Sequence, residues 1–331
     1  MSTVCWFWFF FCTAVTPVED KVPGNVIEYE LVHPARIDTI RQSCIGEPCR
    51  EVHAIFFVHG IFGSDETFKN DDFDWRSKIP PEIDRSRVDV FSVNYHTELV
   101  EWLNKDIASL DEVVYAFYYG LHRRIGGAQL SFLEEYPYKS IGFIGHSLGG
   151  NIATAYLHTV KTERGHAYRA QTGYIIALGA PTTGAQIADV AVWLKAKLHM
   201  PDGLLSSLTR DNTFLRMLAH WRYSEHEKAK RFECRPVNIY MAREGASMYG
   251  IPVVPPLDRA DYMSSATDTE TFANVNHEML AKPVNERDPI YRWVDKILLE
   301  EITRINKWQP KPQGVLVLDE DPVSKLCSRQ F

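Results

Sequence analysis

Gly145-His146-Ser147-Leu148-Gly149 sets a serine between two glycines, each two positions away. The apolar run Ile141-Gly142-Phe143-Ile144 precedes it directly, and a stretch of helical periodicity over 148–160 follows. Strand, sharp turn and helix in that order is the setting a nucleophile elbow needs. The turn pushes the hydroxyl out of the sheet, and Gly145 and Gly149 leave room where the strand and helix backbones approach. Gly150 extends this small-residue patch. A helix starting at Leu148 directs its first amides and its positive end toward an oxyanion formed at the attacked carbonyl. The competing reading is a glycine-rich helix start in a non-catalytic α/β protein.

A second piece is His59-Gly60-Ile61-Phe62-Gly63, which ends another apolar run, Ala54-Ile55-Phe56-Phe57-Val58. A chain turning over Gly60 can offer the Ile61 amide as a second oxyanion donor beside Leu148. Two donors suit a tetrahedral intermediate, and losing one typically costs about 10²–10³ in rate. Taken alone, the segment also reads as a tight turn with a structural histidine.

Elements must hold these pieces in place. Further β-rich runs cover 88–94, 174–178 and 237–241, with a weaker one at 251–254. Short, continuously apolar runs suit strands buried on both faces of a parallel sheet. Helical patterns cover 110–121 and 148–160. A last helix opens at Asp288-Pro289, with an N-cap followed by proline. Ile290, Trp293, Val294, Ile297, Leu298 and Ile302 then form one apolar stripe. Strands alternating with helices predict βαβ units. The rhythm breaks over 182–232, where helical stretches at 184–198 and 212–229 read as an insertion over one end of the strands. Their apolar positions suit packing on the domain, and equally a cap that walls an acyl pocket.

Val58-His59-Gly60-Ile61-Phe62-Gly63-Ser64, the elbow running through Gly150, and Leu178-Gly179-Ala180-Pro181 together resemble the α/β-hydrolases. More closely they resemble lipase-like serine esterases with a His-Gly turn and a Gly-His-Ser-Leu-Gly-Gly elbow, including mitochondrial and GPI-processing lipases. The resemblance spans about residues 50–305. It implies an α/β-hydrolase fold, with a mostly parallel central sheet flanked by helices and a helical cap insertion at about 182–232. It also implies hydrolysis of carboxylic, lipid-like esters through an acyl-enzyme, with no cofactor and no metal. Thioesterases, phospholipases and amidases share this machinery, and a binding module on the same scaffold is the non-enzymatic alternative. In such a family the triad runs Ser, acid, His along the chain. Ser147 is then the nucleophile. His277, in Asn276-His277-Glu278-Met279-Leu280, occupies the catalytic-histidine loop before the final helix. Glu244, three residues after the expected strand 237–241, is the first choice of acid. Asp258 and Asp261 are the alternatives, and Asp268 is the outsider. Thr182-Thr183-Gly184 stands where the family often has His-x-Gly.

Composition agrees with an ordinary folded protein. The 331 residues are 45% hydrophobic and 24% charged, close to globular averages of about 45–50% and about 25%. The net charge of −7 and the lack of a basic patch argue against a nucleic-acid partner. No His-Glu-x-x-His or Cys-x-x-Cys occurs, so metalloprotease and thioredoxin-like readings lack their motifs. The expected substrate partner is a small-molecule or lipid ester. Residues 1–25 form an apolar N-terminal extension, whose run at 4–12 is too short to span a bilayer. If residues 1–14 act as a signal or anchor, the protein is secreted or membrane-associated, and otherwise cytoplasmic. Cys44 and Cys49 flank a turn-like stretch and would close a small loop in an oxidising compartment. The hydrolase domain is expected over 26–309, and residues 310–331 read as a loose tail.

Overall fold

The computed structural model describes residues 36–41, 52–60, 63–71, 73–78, 80–84, 87–95, 110–122, 132–136, 138–164, 172–181, 237–246 and 268–308. The N-terminal extension, the expected cap, the run at 251–254, all six cysteines and the C-terminal tail lie outside these residues.

One sheet organises the chain. Its strands are β1 (Arg36–Arg41), β2 (His53–Val58), β5 (Val88–Asn94), β6 (Ser140–His146), β7 (Thr172–Leu178), β8 (Asn238–Glu244) and β9 (Asp268–Phe272). A two-stranded hairpin, β3 (Lys69–Asn70) and β4 (Phe73–Asp74), stands apart. The order across the large sheet is β1-β5-β2-β6-β7-β8-β9, with β1 antiparallel to β5 and every other neighbour parallel. The most apolar runs lie at the centre. All six residues of β2 and all seven of β6 and β7 are buried, as strands covered on both faces must be.

The helices are α1 (Leu110–His122), α2 (Phe132–Glu135), α3 (Leu148–Arg164) and α4 (Pro289–Lys307). They divide between the two faces of the sheet. Phe56, Phe91, Phe143, Ile175 and Met241 meet Phe117 of α1 and Tyr156 of α3 on one side. Ile55, Ile144, Ile176 and Tyr240 meet Ile290, Val294, Ile297 and Ile302 of α4 on the other. Asp288 caps α4 by accepting from the Ile290 amide at 2.9 Å, and Pro289 occupies the first turn, where its missing N–H is harmless. Strand order, a single antiparallel edge and helices on both faces make this an α/β-hydrolase fold.

Two strands escape the apolar-run criterion. Among the described residues, Arg36–Arg41 and Asp268–Phe272 are the two sheet edges, where charged residues are tolerated. The second edge also lengthens β8. Ala242, Arg243 and Glu244 pair with Glu270, Thr271 and Phe272, so the strand ends on Glu244 instead of three residues before it.

Candidate active site

The parallel strands all point their carboxyl ends toward one edge, where Ser147 follows β6, Glu244 ends β8 and His277 meets Glu244. Ser147 is the single residue between β6 and α3, and it sits at φ +53°. A non-glycine residue in the left-handed region is strained, and such strain concentrates at functional sites. Two backbone hydrogen bonds hold it. The Ser147 N–H donates to Leu178 O at 2.8 Å, and the Gly150 N–H donates back to Ser147 O at 3.1 Å. The surrounding glycines have no space to spare. A Cβ on Gly149 would stand 2.1 Å from Val58 O, and one on Gly145 would stand 2.5 Å from the Gly149 carbonyl carbon. A Cβ on Gly60 would reach within 2.7 Å of Ser147 Cβ and 3.3 Å of its Oγ. The end of β2 therefore walls the serine directly. Leu148 opens α3, where the first amides of a helix have no intrahelical acceptor.

His277 comes from the loop after β9. The Val275 N–H closes a turn on Phe272 O at 3.3 Å, with Asn274 at φ +64°. The Asn276 side chain accepts from the Met279 N–H at 3.0 Å, starting the short 3-10 turn Met279–Ala281. Trp75 clamps that turn from outside by donating its indole N–H to Ala281 O at 2.9 Å. The imidazole is 1% exposed and lies on Gly179, itself at φ +62°. A Cβ there would press to 3.0 Å from His277 Nδ1.

Glu244 meets the imidazole. Its Oε2 is 3.0 Å from His277 Nδ1, with both side chains buried. A carboxylate only accepts, so the proton of a neutral ring rests on Nδ1 and Nε2 is left as the acceptor. That is the tautomer a general base needs. His146, beside the serine, packs its ring at 4.9 Å from that of His277 and donates from Nε2 to His277 O at 2.9 Å. Burial, and then the neighbouring His277, push the His146 imidazole down to about 3, so it stays neutral.

The remaining candidates fall elsewhere. Asp268 begins β9 at the amino end, exposed and in register with Tyr240, so it is four residues of strand away from the Glu244–Phe272 pair. Ile61, Asp258 and Asp261 lie outside the described residues. Two contacts were not legible as motifs. Gly179 belongs to the Leu178-Gly179-Ala180-Pro181 motif, but its positive φ and its contact with His277 emerge only from the fold. Tyr95 follows β5 and stacks on His59 with ring centroids 4.2 Å apart. Its neighbours in sequence, Asn94 and His96, give no hint of that contact. Among the described residues, no group of three or more His, Cys, Asp or Glu could hold a metal ion. Among them, too, no helix is long and apolar enough to cross a membrane.

No family model and no curated protein matches the chain. Solved structures of similar shape include a proline iminopeptidase of Mycobacterium smegmatis, 10% identical, covering 82% of this chain and 96% of its own, with a TM-score of 0.43. The type II thioesterase BorB from the borrelidin biosynthetic cluster is 14% identical, covering 81% and 96%, with a TM-score of 0.44. A monoacylglycerol lipase of Paleococcus ferrophilus is 12% identical, covering 82% and 99%, with a TM-score of 0.42.

Proposed function

We propose that this chain is a serine hydrolase that transfers the acyl group of a carboxylic ester to water. The observation that carries the reading is the buried 3.0 Å contact between His277 Nδ1 and Glu244 Oε2, at the same sheet edge as a serine at φ +53°. An ordinary solvated glutamate does not hold an imidazole in this tautomer beside a strained serine, whereas a triad needs all three features.

The reaction then runs in two halves. Ser147 Oγ bonds to the ester carbonyl carbon while His277 Nε2 takes the hydroxyl proton. The carbonyl oxygen becomes an oxyanion, held by the amides of Leu148 and Ile61. The intermediate collapses, the carbon–oxygen bond to the alcohol breaks, and His277 hands its proton to the departing alkoxide. Water attacks the acyl-serine with His277 again as base. Collapse releases the acid and returns the proton to Ser147. Glu244 keeps the imidazole oriented and stabilises it when charged.

The substrate we favour is a lipid-like ester, with its acyl chain covered by the segment 182–232. Thioesters use the same machinery and differ only in the leaving group. A fluorophosphonate probe and a p-nitrophenyl ester series from C2 to C16, with a thioester of matched acyl length, test the reading. Labelling confined to Ser147, with turnover rising toward long acyl chains, is the expected result. Faster turnover of the thioester would move the assignment to a thioesterase. A folded chain that neither labels nor turns over any ester would overturn the reading in favour of a binding module.

A further inference from the structure

We infer that Tyr95 is a positioning residue for the oxyanion turn, acting through His59 on the peptide that leaves Gly60. The inference rests on the serine-hydrolase reading above.

Gly60 is the residue that walls Ser147, so the direction of its peptide decides what faces the attacked carbonyl. Its carbonyl oxygen is held twice. The Gly63 N–H donates to it at 3.0 Å, closing a turn, and His59 Nδ1 donates to it at 2.9 Å. A peptide unit is planar, so two donors on the Gly60 oxygen fix the direction in which the chain leaves Gly60, the turn from which the proposed mechanism draws its second oxyanion donor. A histidine that donates from Nδ1 must be prevented from turning. Tyr95 supplies the constraint in three ways. Its ring stacks on the imidazole, 4.2 Å away and tilted by 15°. Its backbone N–H approaches His59 Nε2 at 3.5 Å, leaving Nδ1 as the protonated nitrogen. Its hydroxyl donates to the His59 carbonyl oxygen. The carbonyl so held is also the one against which α3 begins, because a Cβ on Gly149 would stand 2.6 Å from it. One phenol therefore sets both the turn after β2 and the approach of the helix that carries the Leu148 amide. Tyr95 is 9% exposed and His59 2%, so the pair is shielded from competing water. Burial pushes the Tyr95 hydroxyl well above its ordinary range, which keeps it a donor at every working pH.

The test is the split between kcat and KM. Tyr95→Phe keeps the ring and removes only the hydroxyl. With a short p-nitrophenyl ester, kcat should fall about 10–100-fold, a fraction of the 10²–10³ lost with a whole oxyanion donor, while KM stays within about two-fold. His59→Phe keeps a ring for the stack but removes the Nδ1 donor, and should show the same split. Wild type is labelled with fluorophosphonate alongside. Normal kcat in folded Tyr95→Phe, with wild type labelled, would overturn the positioning role alone. Loss of fold in both variants would make the pair a structural prop and overturn it as well. An unlabelled wild type would overturn the hydrolase reading and this role together.

Discussion

At the residue scale, the proposed mechanism depends on which nitrogen of His277 carries the proton. Glu244 decides it, because a buried carboxylate can only accept from Nδ1. Glu244→Gln keeps the shape but offers an amide N–H in place of an oxygen. The ring can then turn its lone pair toward Gln and present a proton to the serine, which disables the base. We expect kcat to fall by about 10²–10⁴ while the fold survives, as a wrong tautomer does in a serine triad. Steady-state kinetics with a matched thermal melt checks this, and activity within a few-fold of wild type would remove Glu244 from the triad. His146 carries a different consequence. The groups around it are His277, His59 and Lys282, all of which disfavour its protonation, and the His277 carbonyl, which favours it. Burial leads, and its folded value lies at about 3 against an ordinary 6.5. Between those values the unfolded chain binds the proton that the folded chain refuses. Stability from this residue is therefore complete above about 6.5 and declines as pH falls toward 3. Denaturation midpoints between pH 7 and pH 4 should drop more steeply for wild type than for His146→Gln, and parallel curves would contradict that cause.

At the element scale, glycines set how closely strands and helices meet. Gly149 lets α3 start against the end of β2, where a side chain would collide with backbone oxygens that cannot move independently. Gly173, in β7, faces only the tip of Ile305, a flexible side chain 2.5 Å from the position of an added Cβ. Gly149→Ala should therefore lower the melting temperature and erase labelling of Ser147, whereas Gly173→Ala should cost little of either. Equal losses would contradict the view that close backbone approach builds the elbow. Similar reasoning explains which elements could be read in advance. The five strong apolar runs became β2, β5, β6, β7 and β8, because burial on both faces leaves a sequence signal. Asp268-Thr269-Glu270-Thr271-Phe272 became β9 without one. An edge strand is ordered by its ladder to β8, and a ladder is made by backbone atoms that every sequence has. The Glu301 carboxylate shows the converse. It is buried on α4, where the apolar stripe predicts no charge. It is compensated by Asn238 at 2.7 Å, Tyr240 at 2.6 Å and the Arg304 guanidinium. Three partners from two stretches of chain, β8 and α4 itself, cannot be foreseen from either one alone.

At the scale of the whole molecule, the chain order serine, glutamate, histidine is brought to one edge by topology. Parallel strands end together, so Ser147 after β6 and Glu244 at the end of β8 stand at one edge, and His277 meets Glu244 although their elements lie far apart in sequence. The turn at Ser147 was legible because so close a meeting of strand and helix needs a local pattern of glycines. The contact between Glu244 and His277 was expected only by analogy with a family order, since neither residue has a local signature. The acid was the less certain because the strand preceding it runs further than its apolar residues do. The expected cap at about 182–232, on which the proposed substrate rests, lies outside the described residues.

The most direct test of the central claim is fluorophosphonate labelling of the full chain, with the modified peptide mapped by mass spectrometry beside Ser147→Ala. The account predicts one label per chain, on Ser147, and none on the folded variant. A label on another residue, or none on well-folded wild type, would contradict it.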